Sequence, residues 1–501
     1  MKAKTLMIQG TGSHVGKSII TAALCRIFTQ DGYRVAPFKS QNMSLNSFIT
    51  EDGGEMGRAQ VVQAEACGIK PSVKMNPILL KPTMDVSAQV IVMGRPVDNM
   101  TVEEYIQFKP EAMKIATTAL HSLKGSYEIV LIEGAGSPAE INLRSHDIVN
   151  MGIAEIADAP VLIVGDIDKG GVFAWFVGTM ELLDQKEQER VKGFIINKFR
   201  GRRELLEPGL RYLEERTERP AIGVIPYFSD ICVMEEDAVS DSKIRCHGKG
   251  APDKKDGITI DVIHLPHISN FTDFDPLEME PEVHLRYVMR PQDIHSPDIL
   301  IIPGSKNTIS DVNYLGASGM GRKIIESANN GTMIIGICGG YQMLGRRIYD
   351  RKGVESKSTE TGGLGLLEMV TEFREEKMTH QVKAIHTDTG LEISGYEIHM
   401  GESKILGNPF PVFKIVRRGY DPVEVPDGLK NEKGNVWGTY LHGIFEDDIF
   451  RRWFLNSLRI KKGLHPIDRV IPFDKEREYD KLADLVRQNL DMEALYRILG
   501  I

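Results

Sequence analysis

Thr332-Met333-Ile334-Ile335-Gly336-Ile337-Cys338-Gly339-Gly340-Tyr341-Gln342-Met343-Leu344 is an apolar run, then Gly-x-Cys-x-Gly, then residues able to continue as a helix. This pattern predicts a buried strand that turns sharply into a helix, with Cys338 on the turn. The glycines relieve crowding there, and the sulfur is pushed clear of the backbone. The helix N-terminus lowers the thiol pKa and aims backbone N–H groups at an anion. That is the layout of an acyl-transfer nucleophile carried on an α/β sheet.

Further apolar β-type runs alternate with helix-sized segments on both sides of this stretch. Thr5–Gln9, Ile129–Ile132, Val161–Val164, Gly193–Ile196 and Ala221–Ile225 read as buried parallel strands, and so do Ile258–Ile263 and Ile299–Ile302. Asn435–Leu441 reads as a later strand. The expected fold class is α/β, with an N-terminal P-loop-type doubly wound parallel sheet and a second, C-terminal α/β domain. Between them, from about Ser229 to Gly257, the chain becomes polar, charged and glycine-rich. The expected division is 1–228, a linker at 229–257, 258–456, and a helical extension at 457–501. In that extension Leu482, Leu485, Val486 and Leu490 fall on one helical face. The extension either packs on its own chain or mediates a homo-oligomer.

The 501 residues suffice for two or three domains with their own cores. A net charge of −9 argues against nonspecific binding to nucleic acid or to an anionic membrane surface. Five scattered cysteines without a Cys-x-x-Cys pair favour neither a disulfide framework nor a zinc site. No apolar stretch reaches membrane-spanning length, and the N-terminus enters a strand without a cleavable signal pattern. A soluble, cytoplasmic protein is expected.

Gly10-Thr11-Gly12-Ser13-His14-Val15-Gly16-Lys17-Ser18 joins the first strand to a helix. Glycines let backbone N–H groups wrap phosphate oxygens, Lys17 neutralises β/γ charge, and the Ser18 hydroxyl can ligate Mg²⁺ at a helix N-terminus. Glu133 ends the strand Val130-Leu131-Ile132-Glu133 and is expected to supply a carboxylate to the same cation. Glu55 is a further candidate ligand, or else a surface acid. Asn197 follows a buried strand and is a candidate for reading the base. Phe199-Arg200 stand where the guanine-specific motif would need its aspartate, so adenine, and hence ATP, is expected. Thr11 stands where the strict Gly-x-x-x-x-Gly-Lys-Ser spacing would need glycine, and the loop resembles that of the dethiobiotin synthetase group, ATP-dependent enzymes that activate carboxylates.

A nucleophilic cysteine needs a base and a stabilised oxyanion. His442, in Gly438-Thr439-Tyr440-Leu441-His442-Gly443, directly follows a strand and is the candidate base. Gly304, in the loop after Ile299–Ile302, and Gly339 are candidates for the oxyanion N–H groups. These residues resemble the class I glutamine amidotransferases, in which a thiolate attacks the side-chain amide of glutamine and ammonia leaves. The resemblance implies a triad whose third residue is a glutamate two positions after the histidine. Ile444 stands there, so the match is to the dyad variant of the cobyrinic and cobyric acid synthase branch.

Longer stretches extend the match. Phe38–Ser47, Glu133–Leu143, Gly165–Phe173 and Leu265–Asp275 resemble the cobyric acid synthase family, from about residue 3 to about 455. The resemblance implies a corrinoid substrate, adenosylcobyrinic acid a,c-diamide, whose b, d, e and g propionates are amidated with ATP and glutamine. It also implies a shielded route for ammonia from Cys338 to the ATP site. Asp147 is expected either to position the activated carboxylate or ammonia, or to cap a helix. Asp166 and Asp168, at another strand end, are candidates for supporting the groups that touch the ligand or for belonging to a substrate loop. The alternatives are a synthase acting on the a and c acetates of cobyrinic acid, and a nucleotide-dependent regulatory or transport-associated ATPase, which leaves Cys338 and His442 without a purpose.

Overall fold

The apolar run near the start of the chain becomes a central strand. In the computed structural model, which describes residues 3–84, 87–233, 257–356 and 358–501, β1 (Lys4–Gly10) is buried along all but its first residue. After it come α1 (Lys17–Gln30), β2 (Val35–Phe38), β3 (Ile129–Glu133), β4 (Val161–Asp166), β5 (Val191–Phe199) and β6 (Ala221–Pro226). The strands form one sheet in the order β6-β5-β4-β1-β3-β2, with every neighbouring pair parallel. Because β1 sits between β4 and β3, the loops at its C-terminal end open a crevice, the place where open α/β sheets take ligands. Between β2 and β3 the chain adds a small sheet from Gln41–Met43 and the meander Ile78–Met84, Ser87–Val92, Arg95–Thr101.

A second sheet repeats the logic. Its strands, with their neighbours in chain order, are β7 (Ile258–Ile263), β8 (Val283–Val288), β9 (Ile299–Ile302), β10 (Met333–Ile337), β11 (Met369–His386), β12 (Glu392–Ile405), β13 (Leu429–Lys430), β14 (Val436–Thr439) and β15 (Leu441–His442). The order β8-β7-β9-β10-β14 is parallel throughout, and β13 closes the edge antiparallel. A short helix, α2 (Gly339–Leu344), leaves the end of β10. The long hairpin β11–β12 lies in a separate, mainly antiparallel sheet, to which β15 pairs along Tyr396 and Glu397. The strands read from the sequence are all present, most with ends shifted by one to three residues, and the expected strand Asn435–Leu441 is divided between β14 and β15.

The chain forms two compact units: Met1–Ser44, Glu55–Glu236 and Asp474–Ile501 make the first, Leu45–Gly54 and Asp237–Phe473 the second. Most of the expected linker, residues 234–256, lies outside the described residues. Two features depart from the division read along the chain. Leu45–Gly54 leaves the first unit and folds with the second. The expected C-terminal extension is split, with helix Asp448–Lys461 in the second unit and the last two helices, α3 (Lys475–Asn489) and α4 (Met492–Leu499), in the first. The physical reason is an apolar stripe that needs cover: α3 buries Tyr479, Leu482, Ala483 and Val486. Arg26 of α1 meets Asp480 and Glu476, each at 2.7 Å, and Tyr496 of α4 packs edge-on to Phe28 at 6.1 Å. Among the described residues no helix is long and apolar enough to cross a membrane.

Leu482 is fully buried. Leu482→Ala is therefore expected to destabilise the first unit by about 2–5 kcal/mol, seen as a lower denaturant midpoint. A helix that merely extended from the fold would lose no more than about 0.5 kcal/mol.

Candidate active sites

In the first unit, β1 delivers the chain into the loop that the sequence marks for phosphate. Gly16, at φ 102°, precedes the first residue of α1, and the first turn carries no acid. A side chain on Gly16 would stand 2.0 Å from Asn197 Nδ2, so only glycine lets the loop close over that residue. Asn197 lies under the loop, donating from Nδ2 to the Val15 carbonyl at 2.9 Å, and among the described residues its Oδ1 has no hydrogen-bond partner. Thr11 N–H donates to the Val164 carbonyl, fixing the loop to β4. Ser13 and His14 are exposed at the loop's crest, and Lys17 Nζ donates to the carbonyls of Gly12 (2.7 Å) and Gly136 (3.2 Å). A lysine ammonium folded back over backbone carbonyls stands where a bound polyphosphate would exchange them for its own oxygens.

Beneath the loop, Glu133 is 1% exposed. Its Oε1 accepts from Ser18 Oγ (2.8 Å) and Lys39 Nζ (2.9 Å), and its Oε2 from Gln63 and Gln60. Burial by itself pushes this carboxyl up. The Lys39 ammonium and the hydrogen bonds from Lys39, Gln63 and Ser18 outweigh it and hold the acid below the usual carboxylate range. The expected pair Ser18–Glu133 is thus assembled, with an ionised carboxylate and a hydroxyl in contact. Two hard oxygens without a larger acidic cluster fit Mg²⁺, which takes one or two protein ligands and completes its octahedron with phosphate and water; among the described residues no group of three or more His, Cys, Asp or Glu could hold a metal.

Two other expectations change. Glu55 is neither a surface acid nor an open ligand: it is fully buried, and its Oε1 accepts from Lys81 Nζ at 2.8 Å. The ion pair with Lys81 offsets the cost of burying the carboxylate. Asp147 is engaged with the backbone just ahead of helix Met151–Ala157, whose N-cap position is Asn150. Its Oδ1 takes the N–H groups of Val149 and Asn150, both at 2.9 Å, and its Oδ2 that of Gly152 at 3.1 Å, at the start of helix Met151–Ala157. Asp166 is buried and accepts from Lys198 Nζ at 2.9 Å, while Asp168 pairs with Arg200 at 3.0 Å.

In the second unit the predicted strand–turn–helix is present. Cys338 sits between β10 and α2 at φ 50°, ψ −106°. Such backbone strain, of order 1–3 kcal/mol, persists only where the surroundings over-determine it. Two close approaches do so. A Cβ on Gly340 would lie 2.0 Å from the Ile302 carbonyl oxygen, and one on Gly336 would lie 2.7 Å from the backbone of Gly340. The Cys338 N–H donates to the Thr439 carbonyl at 2.8 Å, which ties the turn to β14.

His442 is brought toward the thiol by β15 and is 1% exposed. Its ring stacks on Tyr396, centroids 5.2 Å apart and 17° from parallel, and lies close enough to Cys338 for that side chain to raise its pKa, while Cys338 Sγ donates to the Ile398 carbonyl at 3.5 Å. The Cε1 of that ring lies 3.3 Å from where a Cβ on Gly304 would stand, and Gly339 abuts Ser305 just as closely, so both expected oxyanion glycines line the thiol turn.

Several neighbours carried no role in the sequence reading. Asp273 Oδ2 lies 2.6 Å from His442 Nδ1, and its Oδ1 accepts from the Gly443 N–H at 3.0 Å. Burial by itself pushes the His442 ring down, but the Asp273 charge and hydrogen bond, with the Cys338 side chain, bring it up to about 10. Gln342, on α2, accepts from Thr308 Oγ1 (3.2 Å) and donates to Tyr440 Oη (3.4 Å). Tyr440 meets Ser403 Oγ at 2.7 Å and stacks against His399 at 3.9 Å. The one sequence signal for Asp273 was its place in Leu265–Asp275. Nothing local ties it to a histidine 169 residues away.

Known proteins match both halves. The CobQ/CobB/MinD/ParA nucleotide binding domain family matches residues 6–239, and the CobB/CobQ-like glutamine amidotransferase domain family matches residues 259–450. Over its length the chain is similar to cobyric acid synthase of Caldanaerobacter subterraneus subsp. tengcongensis, at 52% identity over 99% of each chain. It is similar to that of Alkaliphilus metalliredigens at 54% identity, over 98% of this chain and 99% of the relative. With that of Clostridium botulinum the identity is 53% over 99% of each.

The Lys39–Glu133 pair generates a test. Lys39→Met leaves a buried carboxylate without its counter-charge and is expected to destabilise the first unit by about 3–5 kcal/mol in urea unfolding. The double variant Lys39→Met/Glu133→Gln is expected to recover most of that loss; no recovery would show that Lys39 acts through another partner.

Proposed function

This chain belongs to the cobyric acid synthase family, and on that premise we propose which of its residues perform each part of the reaction. The enzyme is a glutamine-hydrolysing carbon–nitrogen ligase that uses ATP and amidates a corrinoid. The observation that carries the residue assignment is the strained Cys338 turn with the buried His442 ring held beside it on Asp273.

Cys338 attacks the side-chain amide of glutamine as a thiolate. The N–H groups of Gly304 and Gly339 stabilise the oxyanion that forms. His442 gives a proton to the departing nitrogen, so ammonia leaves and a γ-glutamyl thioester remains. His442 then takes a proton from the water that hydrolyses the thioester.

The phosphate loop Gly10–Ser18 holds ATP, with Lys17 against its phosphates, and the acceptor that Asn197 keeps, Oδ1, suits the exocyclic amine of adenine. A carboxylate is a poor acyl donor because oxide would have to leave. Transfer of the γ-phosphoryl group gives an acyl phosphate, from which phosphate leaves when ammonia attacks. Ser18 and Glu133 would hold Mg²⁺, which supplies charge neutralisation at the transferred phosphoryl group. Asp147 fixes the loop that leaves Glu133 and so positions the carboxylate being activated. The substrate in this account is adenosylcobyrinic acid a,c-diamide, amidated at its b, d, e and g propionates. The synthase acting on the a and c acetates is not favoured, since relatives at 52–54% identity over the whole length carry the cobyric name. A reducing cytoplasm suits the free thiols of Cys25, Cys67 and Cys338.

Cys338→Ala is expected to abolish glutamine-dependent amidation, by on the order of 10³-fold or more, and to retain synthesis from ammonium salts. Mass spectrometry of the corrinoid after incubation with ATP, Mg²⁺ and glutamine is expected to show four amide additions. Two additions would favour the other synthase, and glutamine-dependent turnover by Cys338→Ala would remove the thiol mechanism.

A further inference from the structure

The position two residues after His442, where class I glutamine amidotransferases are expected to carry their acid, is Ile444, buried in the core at 1% exposure. Glu446, further along the same short turn, leaves the histidine's Nδ1 to another group. That group is Asp273, at 2.6 Å. We propose that Asp273 completes a Cys338–His442–Asp273 arrangement as the positioning residue for His442, supplied by a sequence-distant turn in place of the acid missing at Ile444. The assignment rests on the reading of Cys338 and His442 as the glutamine-hydrolysing pair.

The geometry separates this role from an incidental contact. Among the described residues each oxygen of Asp273 has one partner, and both belong to the same short segment: Oδ2 takes the His442 ring and Oδ1 the next backbone N–H, Gly443. The carboxylate therefore fixes the direction of the ring as well as contacting it. Because a carboxylate accepts, Nδ1 carries the proton, and Nε2 is the nitrogen left for the thiol. Tyr396, stacked on the ring face, blocks rotation out of that plane.

The acid is itself held on a built support. It lies on the turn Phe271–Phe274, whose two phenylalanines are buried at 3% and 0% exposure. Asn270, in left-handed conformation at φ 52°, heads the turn. Its amide clasps the backbone of Ser47, accepting from N at 3.4 Å and donating to O at 3.2 Å, and donates to Tyr396 Oη at 2.9 Å. One asparagine thus links the segment that carries the acid, the ring that stacks on the histidine and the Leu45–Gly54 excursion.

The chemical consequence concerns the proton. The groups against the imidazole are Asp273 from the turn, Cys338 from the strand–helix junction and Tyr396 from β12. The ring's ordinary value near 6.5 rises to about 10 through Asp273 first and Cys338 second, against the effect of burial. His442 is therefore protonated below about 10 and can donate to the leaving nitrogen across the physiological range. It loses that proton as the pH rises through about 10.

The test measures glutamine hydrolysis by the full-length enzyme, with ammonium-dependent synthesis as the check on the other unit. Asp273→Asn is expected to lower kcat on the order of 10³-fold, with KM changed far less, and to move the alkaline limb of the kcat profile down by more than about one pH unit. Asp273→Glu is expected to restore the alkaline limb at least partly, which also keeps the test decisive should Asp273→Asn fold poorly. Glu446→Gln is expected to behave as the unaltered enzyme. An Asp273→Asn enzyme with kcat within about threefold and an unmoved profile overturns the assignment, as does a loss confined to Glu446→Gln. Unaltered enzyme that hydrolysed no glutamine would instead overturn the functional reading on which the assignment rests.

Discussion

The second unit is organised by a steric constraint, the approach of the Gly340 backbone to the carbonyl of Ile302, so close that a methyl group would sit 2.0 Å from the oxygen. That contact lets α2 start directly against the end of β9, and it forces Cys338 into a backbone conformation that no relaxed residue adopts. The strain is held because β10 is buried between β9 and β14, with hydrogen-bonded neighbours on both sides. The sheet therefore supplies both the thiol and the rigidity that keeps it aimed. β14 and β15 then bring His442 to the same point, since β14 pairs with the cysteine's strand and β15 with the hairpin that carries Tyr396.

The first unit solves a different problem with charge. A carboxylate that is to meet a cation beside phosphates must stay ionised although it is buried at the end of a strand. Lys39, Ser18 and two glutamines hold Glu133 in that state. The arrangement is polarised toward negative ligands and would be unstable with any one partner missing, because a lone buried charge carries a penalty of several kcal/mol. Both units thus store an unfavourable local state, backbone strain in one and buried charge in the other, and both place it at the C-terminal ends of parallel strands.

How much of this was legible depended on how local each signal was. The phosphate loop, the Gly-x-Cys-x-Gly turn and the buried strands are patterns within about ten residues, set by sterics and hydrophobic periodicity, and the structure carries them nearly to the residue. Glu55 was misread because its counter-ion, Lys81, comes from a different strand and leaves no mark beside it in the sequence. Asp147 offered two readings because an acid before a helix looks the same in sequence whether it binds the backbone or a substrate; the three N–H donors around it come from Val149, Asn150 and Gly152 and are seen only in the folded chain. The helical tail and its apolar face at Leu482, Leu485 and Val486 were legible, but an apolar stripe does not name the surface it covers.

By itself the sequence determined the fold class, the two reactive motifs and the family, because glycine spacing, strand periodicity and long specific segments act on neighbouring residues and need no knowledge of the rest of the chain. Only the tertiary structure decided what stands behind His442. Asp273 and the imidazole are 169 residues apart and meet through the packing of Phe271 and Phe274, the Asn270 clasp and the pairing of β15 with β12. The energy that joins them belongs to the folded core, so the acid that seemed missing from the local motif is found only when the chain is closed upon itself.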